Sequence, residues 1–363
     1  KELLIDMQGN WGNIFTGDSA AASRYIEARL SKFALEVVFS PKVTDWQLSY
    51  DGRKKEPVHL PIKFPLLLAQ GAEGIAVGLS TKILPHNFNE LLSSSIQHLK
   101  GKKISIYPDF QTGGIIDVQN YNDGQRGGKI RVRARINQLD KKTLVINEIP
   151  FGTNTSSLID SILKANDQGK IKIKRIEDNT SSQVEILIHL PNDISPDKTI
   201  DALYAFTGCE TSLSPLGCLI IDNKPNFMGV TEMLKISTDH TVQLLKRELE
   251  VQLKDLENQW HYSLLERIFI ENKIYRDIEL AETWEEVISF ISKGLQPHIG
   301  DLKREITNDD IVKLTEIKIK RISKFDLDKA QQKIESLEAD ISEVKNNLKH
   351  LIDFAIRYFT HLK

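Results

Sequence analysis

The last third of the chain carries two regular stripes of apolar residues. Along each stripe the apolar positions recur at steps of three and four, the spacing that lines one side of a helix in a coiled coil. The first stripe is Val242, Leu245, Leu249, Leu253, Leu256 and Trp260, and the second is Ile334, Leu337, Ile341, Val344, Leu348, Leu351, Ala355 and Tyr358. The simplest partner for each stripe is the other one. We therefore predict an antiparallel helix pair, with the intervening residues packed at its far end.

The region from residue 58 to residue 226 has a mixed pattern. Short β-like runs, such as 129–136 and 144–149, alternate with helical stretches such as 156–165. Turn signals such as Asp123-Gly124 separate them. This pattern predicts an α/β region.

A helix is predicted near the start of the chain, over residues 17–39. Asp18 or Ser19 stands where an N-cap is expected, because their side-chain oxygens can accept from the first free backbone N–H groups. The first turns of this predicted helix carry Arg24 and Tyr25.

The run 129–136 alternates cationic and apolar residues. As one strand it would place four cations on one face: Lys129, Arg131, Arg133 and Arg135. Such a row could follow the phosphates of a nucleic acid. The alternative is an ordinary amphipathic strand whose solvent face happens to be basic. The formal net charge of −2 does not itself suggest a nucleic-acid binder.

Composition indicates a folded cytoplasmic protein with more than one unit. The chain has 363 residues, of which 40% are hydrophobic and 27% charged, which is typical of folded domains. Cys209 and Cys218 are too few for a disulfide framework and are predicted to be reduced thiols. No signal peptide and no apolar run long enough to span a membrane is evident, and we expect a fragment of a longer protein.

No metal or nucleotide site is predicted within the chain. Asp326 and Asp328 resemble a carboxylate pair for a metal, but capping of the second long helix explains them better. A phosphate-binding glycine loop of the P-loop type is absent from the sequence.

Several longer motifs resemble one family. The segments Gln8–Asn13 and Gly17–Leu30 resemble the surroundings of the active-site tyrosine in the A subunits of bacterial type IIA topoisomerases, DNA gyrase and topoisomerase IV. Further matches follow in the family's order: Tyr50-Asp51-Gly52, Gly74–Gly78, Pro85-His86-Asn87, Asp109–Gly114 and Asn147–Phe151. The resemblance covers essentially the whole chain.

The resemblance implies a multidomain α+β fold. Residues 1–57 would be the C-terminal part of a winged-helix domain, and 58–226 a mixed α/β tower domain. Residues 227–256 would form the first helix of a coiled-coil arm, 257–324 a helical dimer gate, and 325–363 the return helix of the arm.

The resemblance also implies the site residues. Tyr25 would be the nucleophile that takes the 5′ phosphate of a DNA strand, and Arg24 would bind the scissile or a neighbouring phosphate. Ile75 would enter between stacked bases as a wedge that bends the DNA. Glu73 departs from the Ser or Thr of many relatives, and its charge should repel phosphate.

The implied activity is ATP-dependent cleavage and religation of double-stranded DNA, so that a second duplex can pass. Mg²⁺ and ATP would be bound by a B subunit in an A2B2 assembly. The A subunit would form a homodimer through the gate. The protein would be located in the bacterial cytoplasm, associated with the nucleoid. The fragment alone would be inactive. Topoisomerase IV-like decatenation and relaxation is favoured over gyrase-like supercoiling. A DNA-binding coiled-coil scaffold without enzymatic activity is the alternative from another class.

Overall fold

The computed structural model describes residues 3–318, 322 and 326–363. It comprises two compact units, Lys1–Thr241 with Ile356–Lys363, and Val242–Ala355. The described strands all lie in the first unit, and the described elements of the second are helical. The mixed α and β content agrees with the α+β class predicted from sequence.

The described strands of the first unit are short and antiparallel. In chain order they are β1 (Ile5–Gln8), β2 (Glu27–Leu30), β3 (Trp46–Leu48), β4 (Lys55–Pro57), β5 (Ala72–Ala76), β6 (Leu79–Ile83), β7 (Ile115–Asp117), β8 (Ile130–Arg133), β9 (Arg135–Asp140), β10 (Thr143–Glu148), β11 (Arg175–Asp178), β12 (Ile186–His189), β13 (Glu210–Leu213), β14 (Cys218–Ile221) and β15 (Lys224–Phe227). The two-stranded pairs β1–β2, β3–β4, β5–β6 and β14–β15 accompany a three-stranded sheet in the order β13-β8-β7 and a four-stranded sheet in the order β11-β12-β10-β9.

The described helices are α1 (Lys32–Val37), α2 (Leu66–Gln70), α3 (Phe88–Leu99), α4 (Thr155–Asp167), α5 (Pro196–Phe206), α6 (Val230–Glu271), α7 (Trp284–Leu295), α8 (Asn308–Thr315), α9 (Leu327–Lys349) and α10 (Leu351–Leu362). The two longest of them, α6 and α9, lie in the second half of the chain. Short 3₁₀ turns lie at Ser23–Tyr25, Asn122–Gly124, Ile274–Leu280 and Gln296–Asp301.

Two apolar cores stabilise the first unit. One lies between the four-stranded sheet and α4, where alternate residues of β10, Leu144 and Ile146, are fully buried together with Leu158 and Ile162 of the helix. The other surrounds α2 and α3 and includes the fully buried Leu91 and Leu92. Asn87 caps α3 by accepting from the N–H groups of the next turn.

The prediction of one helix over residues 17–39 is wrong. Asp18 lies in a loop, where its carboxylate accepts from the Thr16 hydroxyl at 2.6 Å instead of capping a helix. Residues 27–30 pair with β1 as β2, and the helix begins only after Ser31, whose hydroxyl accepts from Ala34 N–H. Pairing with a strand distant in sequence therefore outweighs the local helical signal.

The prediction of one strand over residues 129–136 needs a similar correction. The alternation is present, because Ile130, Val132 and Ala134 are fully buried. The run divides at Ala134, however, into β8 and β9, which belong to different sheets. The Ala134 N–H donates to the carbonyl of Cys209 at 2.8 Å, so the chain changes partner strand at this residue.

In the second unit, α6 and α9 pack in antiparallel directions. Trp260 Nε1 donates to Glu338 Oε1 at 2.9 Å, and Lys345 Nζ lies 2.8 Å from Glu257 Oε1, so rising numbers on one helix face falling numbers on the other. Their shared core contains Trp260, Ile334, Leu337, Ile341, Leu253 and Leu256. These residues come from both predicted stripes.

The second stripe does not continue as a single helix. The backbone leaves helical geometry at His350, with φ −112° and ψ 50°, and Leu351 begins α10. At the other end of α9, Asp326 accepts from Lys329 N–H at 3.2 Å, which is the predicted N-cap. A further core, which includes Leu265, Phe269, Ile291 and Leu295, joins the end of α6 to α7 and α8.

Candidate functional site

Tyr25 lies on the surface at the end of a short turn. It is the last residue of the 3₁₀ turn Ser23–Tyr25, where its N–H donates to Ala22 O at 2.9 Å. The next residue, Ile26, is already extended and leads into β2. Because the turn holds the ring away from both apolar cores, 67% of Tyr25 is exposed and its phenol is open to a large ligand.

Gly9 allows the chain to pass close to this turn. Its φ of 91° is unfavourable for residues with a side chain, and a Cβ there would lie only 2.7 Å from the carbonyl oxygen of Tyr25. Gly9 directly follows β1, whose last residue Gln8 pairs with Glu27 of β2. The pairing of β1 with β2 and the close approach of Gly9 therefore fix the backbone of the Tyr25 turn, and only glycine fits at position 9.

The loop before Tyr25 is anchored on the N-terminal end of α4. Thr155 N–H donates to Phe15 O at 2.7 Å, and the Ser156 hydroxyl donates to Thr16 O at 3.3 Å. Phe15 packs against the core beneath the four-stranded sheet. Gly17 lies so close to Asn154 that a Cβ would collide with it. These contacts fix the Tyr25 loop to a rigid element.

Arg24 is exposed beside the tyrosine. Its guanidinium carbon lies 5.0 Å from the centre of the Tyr25 ring, within cation–π range. Within the residues that the structure describes, Arg24 has no carboxylate partner. A cation without a counter-charge next to a phenol is suited to binding an anion that approaches the phenol.

Ile75 lies on an exposed hairpin rather than in a core. It is 92% exposed, and its neighbour Val77, at the turn between β5 and β6, is fully exposed. Ile75 pairs with Ser80 across the hairpin, and Gly78 completes the turn with a φ of 75°. Two large apolar side chains at a hairpin tip are typical of a surface that contacts another molecule.

Glu73 is paired within the same hairpin. Its carboxylate lies 2.9 Å from Lys82 Nζ, and the two residues are direct partners in the β5–β6 register. The negative charge expected to repel DNA is therefore partly compensated in the free protein.

The arginines of the basic run are also paired, each with the carboxylate directly across the sheet. Arg131 lies 2.6 Å from Asp117, Arg133 2.5 Å from Glu210, and Arg135 2.9 Å from Glu148. These ion pairs coincide with the strand registers. Hydrogen bonding from Arg131 is the main cause that lowers the pKa of the Asp117 carboxyl.

Lys129 differs from these arginines. Its backbone N–H donates to Asn120 O at 2.8 Å, but in the described parts of the chain its side chain has no ion-pair partner. The structure therefore does not bring the four cations together as one row that is free to bind phosphates. Three are engaged in the sheets, and Lys129 precedes β8.

Two polar contacts in the first unit have no clear signal in the sequence. The carboxylate of Asp123 accepts from the hydroxyl of Thr231 at 2.8 Å and from its N–H at 3.2 Å, so it caps the first turn of α6 from 108 positions away. His86 is buried between the Leu68 carbonyl and the Tyr121 hydroxyl. Burial is the main cause that lowers its pKa to about 4, so the imidazole is neutral.

The described residues do not provide a set of metal ligands. No group of three or more His, Cys, Asp or Glu residues in this part of the chain is arranged to hold a metal ion. Among the described helices, none is long and apolar enough to span a membrane.

Comparison with known proteins finds relatives along nearly the whole chain. The family model for the A subunit of DNA gyrase/topoisomerase IV matches residues 1–360. The DNA topoisomerase 4 A subunit of Borreliella burgdorferi is 42% identical over 358 residues, covering 99% of this chain and 57% of that protein. The DNA gyrase A subunit of Mycoplasma genitalium is 30% identical over 368 residues, covering 95% and 43%, and that of Lawsonia intracellularis is 29% identical over 365 residues, covering 94% and 43%. The chain thus spans about half the length of these relatives.

Proposed function

Because this chain belongs to the family of DNA gyrase/topoisomerase IV A subunits, we propose that it is the DNA-cleaving and rejoining part of a type IIA topoisomerase. The observation that carries the proposal is the exposed phenol of Tyr25 on an anchored turn, with the uncommitted guanidinium of Arg24 beside it. This arrangement leaves both a nucleophile and an anion-binding group accessible to duplex DNA.

The proposed reaction is a reversible transfer of a phosphoryl ester. The phenolic oxygen of Tyr25 attacks phosphorus and forms a new P–O bond, so that the 5′ phosphate of one fragment is held on the tyrosine. The bond from phosphorus to the 3′ oxygen of the preceding nucleotide breaks. The phenol gives up one proton as it attacks and the leaving oxygen takes one up, so that the preceding nucleotide departs as a 3′ hydroxyl. In the reverse step this hydroxyl attacks the phosphotyrosine. A phenol is much more acidic than an alcohol, so tyrosine leaves readily and the strand is resealed.

Arg24 would stabilise the charge that develops on the non-bridging phosphate oxygens. A guanidinium can donate two parallel hydrogen bonds to a phosphate, and it acts most strongly where charge increases in the transition state. The absence of a carboxylate partner in the described chain supports this role, since no ion pair must first be broken.

Ile75 would bend the DNA by entering between base pairs from the minor groove. Insertion of an apolar wedge unstacks a base step, and the bend allows wider contact with the protein. The 92% exposure of Ile75 supports this role, because a core residue of the same type would be inaccessible.

The basic run is a weaker candidate for DNA contact. Arg131, Arg133 and Arg135 would have to exchange a carboxylate for a phosphate, whereas Lys129 would not. We therefore assign Lys129 as the first phosphate contact of this run and the arginines a mainly structural role in the sheets.

Other components would come from partner chains. A B subunit would bind ATP and would hold Mg²⁺ at the scissile phosphate, where the ion stabilises negative charge. Two A subunits would associate through residues 257–324, and two-fold symmetry would set one tyrosine opposite each strand.

Decatenation and relaxation of the topoisomerase IV type is our first assignment. It is favoured by the 42% identity to a topoisomerase 4 A subunit, against 29% and 30% for the two gyrase relatives. Gyrase-like negative supercoiling is the second candidate. The full-length A subunit in complex with its B subunit should decatenate linked circles and should not supercoil relaxed plasmid.

Trapping with denaturant tests the proposal against a non-enzymatic DNA-binding scaffold. The complete A2B2 enzyme, incubated with labelled duplex and Mg²⁺ and then denatured, should retain label on the protein that carries Tyr25. A scaffold would release all DNA. Absence of covalent complexes from an assembly that binds DNA and hydrolyses ATP would overturn the proposed function.

A further inference from the structure

The β5–β6 hairpin carries an ion pair on the same face as its exposed isoleucine. Glu73 and Lys82 are cross-strand partners 2.9 Å apart, and Ile75 and Ser80 are the next pair along the same face. Residues two apart on a strand project from the same side, so the pair lies directly behind Ile75. The side chain of Glu73 is 66% exposed and that of Lys82 is 30% exposed, which leaves the pair accessible to a ligand bound at the tip.

The backbone of Lys82 is fixed on both edges. One edge pairs with β5, and on the other Lys82 N–H donates to Leu216 O at 2.7 Å while Leu216 N–H donates to Lys82 O at 3.0 Å. The Thr81 hydroxyl adds a bond of 3.1 Å to Leu216 O and accepts from Cys218 N–H at 3.2 Å. The lysine side chain therefore extends from a fixed position relative to Ile75.

This position suits a phosphate contact, given the function proposed above. Ile75 and Lys82 are diagonal neighbours, a relation that separates residues by roughly 7–8 Å. The minor groove of B-DNA is about 6 Å wide and is bordered by phosphates. When Ile75 enters the groove, the lysine stem can therefore reach the phosphates at its border. The carboxylate of Glu73 would compete with the same phosphates for the ammonium group.

We propose that Lys82 contacts a DNA phosphate, and that Glu73 pairs with Lys82 until DNA is bound. In the free protein the carboxylate binds the ammonium group, and in the complex a phosphate beside the step entered by Ile75 takes its place. The exchange requires little energy, because an exposed ion pair of this kind is weak. Glu73 then lowers the affinity of the hairpin for DNA that does not place a phosphate within reach.

Two substitutions measure the exchange in the full-length A subunit in complex with its B subunit. Glu73→Gln should tighten duplex binding by about three- to ten-fold, because it removes a competitor and a repulsive charge. Lys82→Gln should weaken binding by a similar factor and reduce the slope of log affinity against log salt by about 0.9, the change expected for one lost phosphate contact. The effect of Lys82→Gln should be larger when Glu73 is already Gln.

Matched variants separate this exchange from general charge and folding effects. Glu177→Gln breaks another surface pair, with Arg175 at 2.8 Å, and makes the same change in net charge. It should leave duplex affinity nearly unchanged. Lys82→Arg should keep the native salt slope, since a guanidinium also binds phosphate. Melting temperatures of all variants should agree within a few degrees.

The proposal is overturned if Glu73→Gln leaves affinity unchanged or weakens it, or if Lys82→Gln leaves the salt slope unchanged. Loss of affinity in both Lys82→Gln and Lys82→Arg would also overturn it, because the lysine would then serve only the hairpin structure. Each of these results is compatible with native formation of covalent complexes. Failure of the native assembly to form such complexes would instead reject the proposed function itself.

Discussion

The residues around Tyr25 and the basic strands differ in whether their charges are already paired. Arg24 has no carboxylate partner in the described chain, whereas Arg131, Arg133 and Arg135 each face a carboxylate across a sheet. Both regions contain arginines that the sequence makes candidates for phosphate contact. Only the structure distinguishes a cation available to a ligand from one that stabilises a sheet. Similar substitutions in the two regions should therefore have different consequences.

The largest difference is expected between Arg24→Gln and Arg131→Gln. Loss of Arg24 should slow DNA cleavage about 100- to 1000-fold, as is usual when a group that stabilises transition-state charge is removed. Loss of Arg131 should change cleavage by no more than about three-fold, because its charge is already paired with Asp117 and is not available to a phosphate. Single-turnover cleavage by the complete A2B2 enzyme provides the measurement. Equal effects of the two substitutions would refute the distinction.

Ile75→Ala should have the next largest effect. DNA bending and cleavage should fall at least about ten-fold, since the wedge is removed, while the melting temperature of the DNA-free protein should hardly change. The matched control is Ile146→Ala in the buried face of β10, which should cost about 2–5 kcal/mol of folding free energy. Fluorescence energy transfer across a labelled duplex reports bending. A large loss of stability in Ile75→Ala would show that the residue serves packing.

The basic run itself provides a smaller test. Lys129→Gln should reduce the salt slope of DNA binding by about 0.9 and weaken binding a few-fold. Arg131→Gln should change the slope less, because Arg131 is already neutralised by Asp117. If Arg131, Arg133 and Arg135 each changed the slope as much as Lys129, the run would act as a continuous phosphate track despite its ion pairs.

Substitution of His86 is expected to have the smallest effect on DNA binding at neutral pH. Its effect is instead on the stability of the fold in acid. Its folded pKa of about 4 lies below the unfolded value of 6.5, so the unfolded chain binds the proton more readily. The stability that depends on neutral His86 is complete above pH 6.5 and is lost as pH falls toward 4, by about 1–2 kcal/mol at pH 5. Thermal melts at pH 7 and 5 should show a smaller difference for His86→Gln than for the native protein. An unchanged difference would contradict this role.

The elements best predicted from the sequence are those stabilised by regular local patterns. Helix α4, strand β10 and the packing of the stripes on α6 and α9 follow directly from periodicity. The tyrosine segment does not, because its conformation depends on pairing of β2 with β1 and on the close approach of Gly9. Tertiary contacts of this kind outweigh local helical preference.

The candidate site is identifiable from motif resemblance, but its geometry could not be predicted from the same residues. Alternation indicates the outward face of the basic run, but not the break at Ala134 or the opposing carboxylates. The pairing of Glu73 with Lys82 depends on the hairpin register, and the capping of α6 by Asp123 on a contact across 108 positions. Neither relation leaves a local signal in the chain.

The most direct test of the proposed mechanism is Tyr25→Phe in the full-length A subunit in complex with its B subunit. The substitution removes only the phenolic oxygen from an exposed ring, so folding and DNA affinity should remain near normal. Covalent complexes trapped with denaturant should disappear, and strand passage with them. Adducts that persist in this variant, and that peptide mapping assigns to another residue, would contradict the assignment of Tyr25 as the nucleophile.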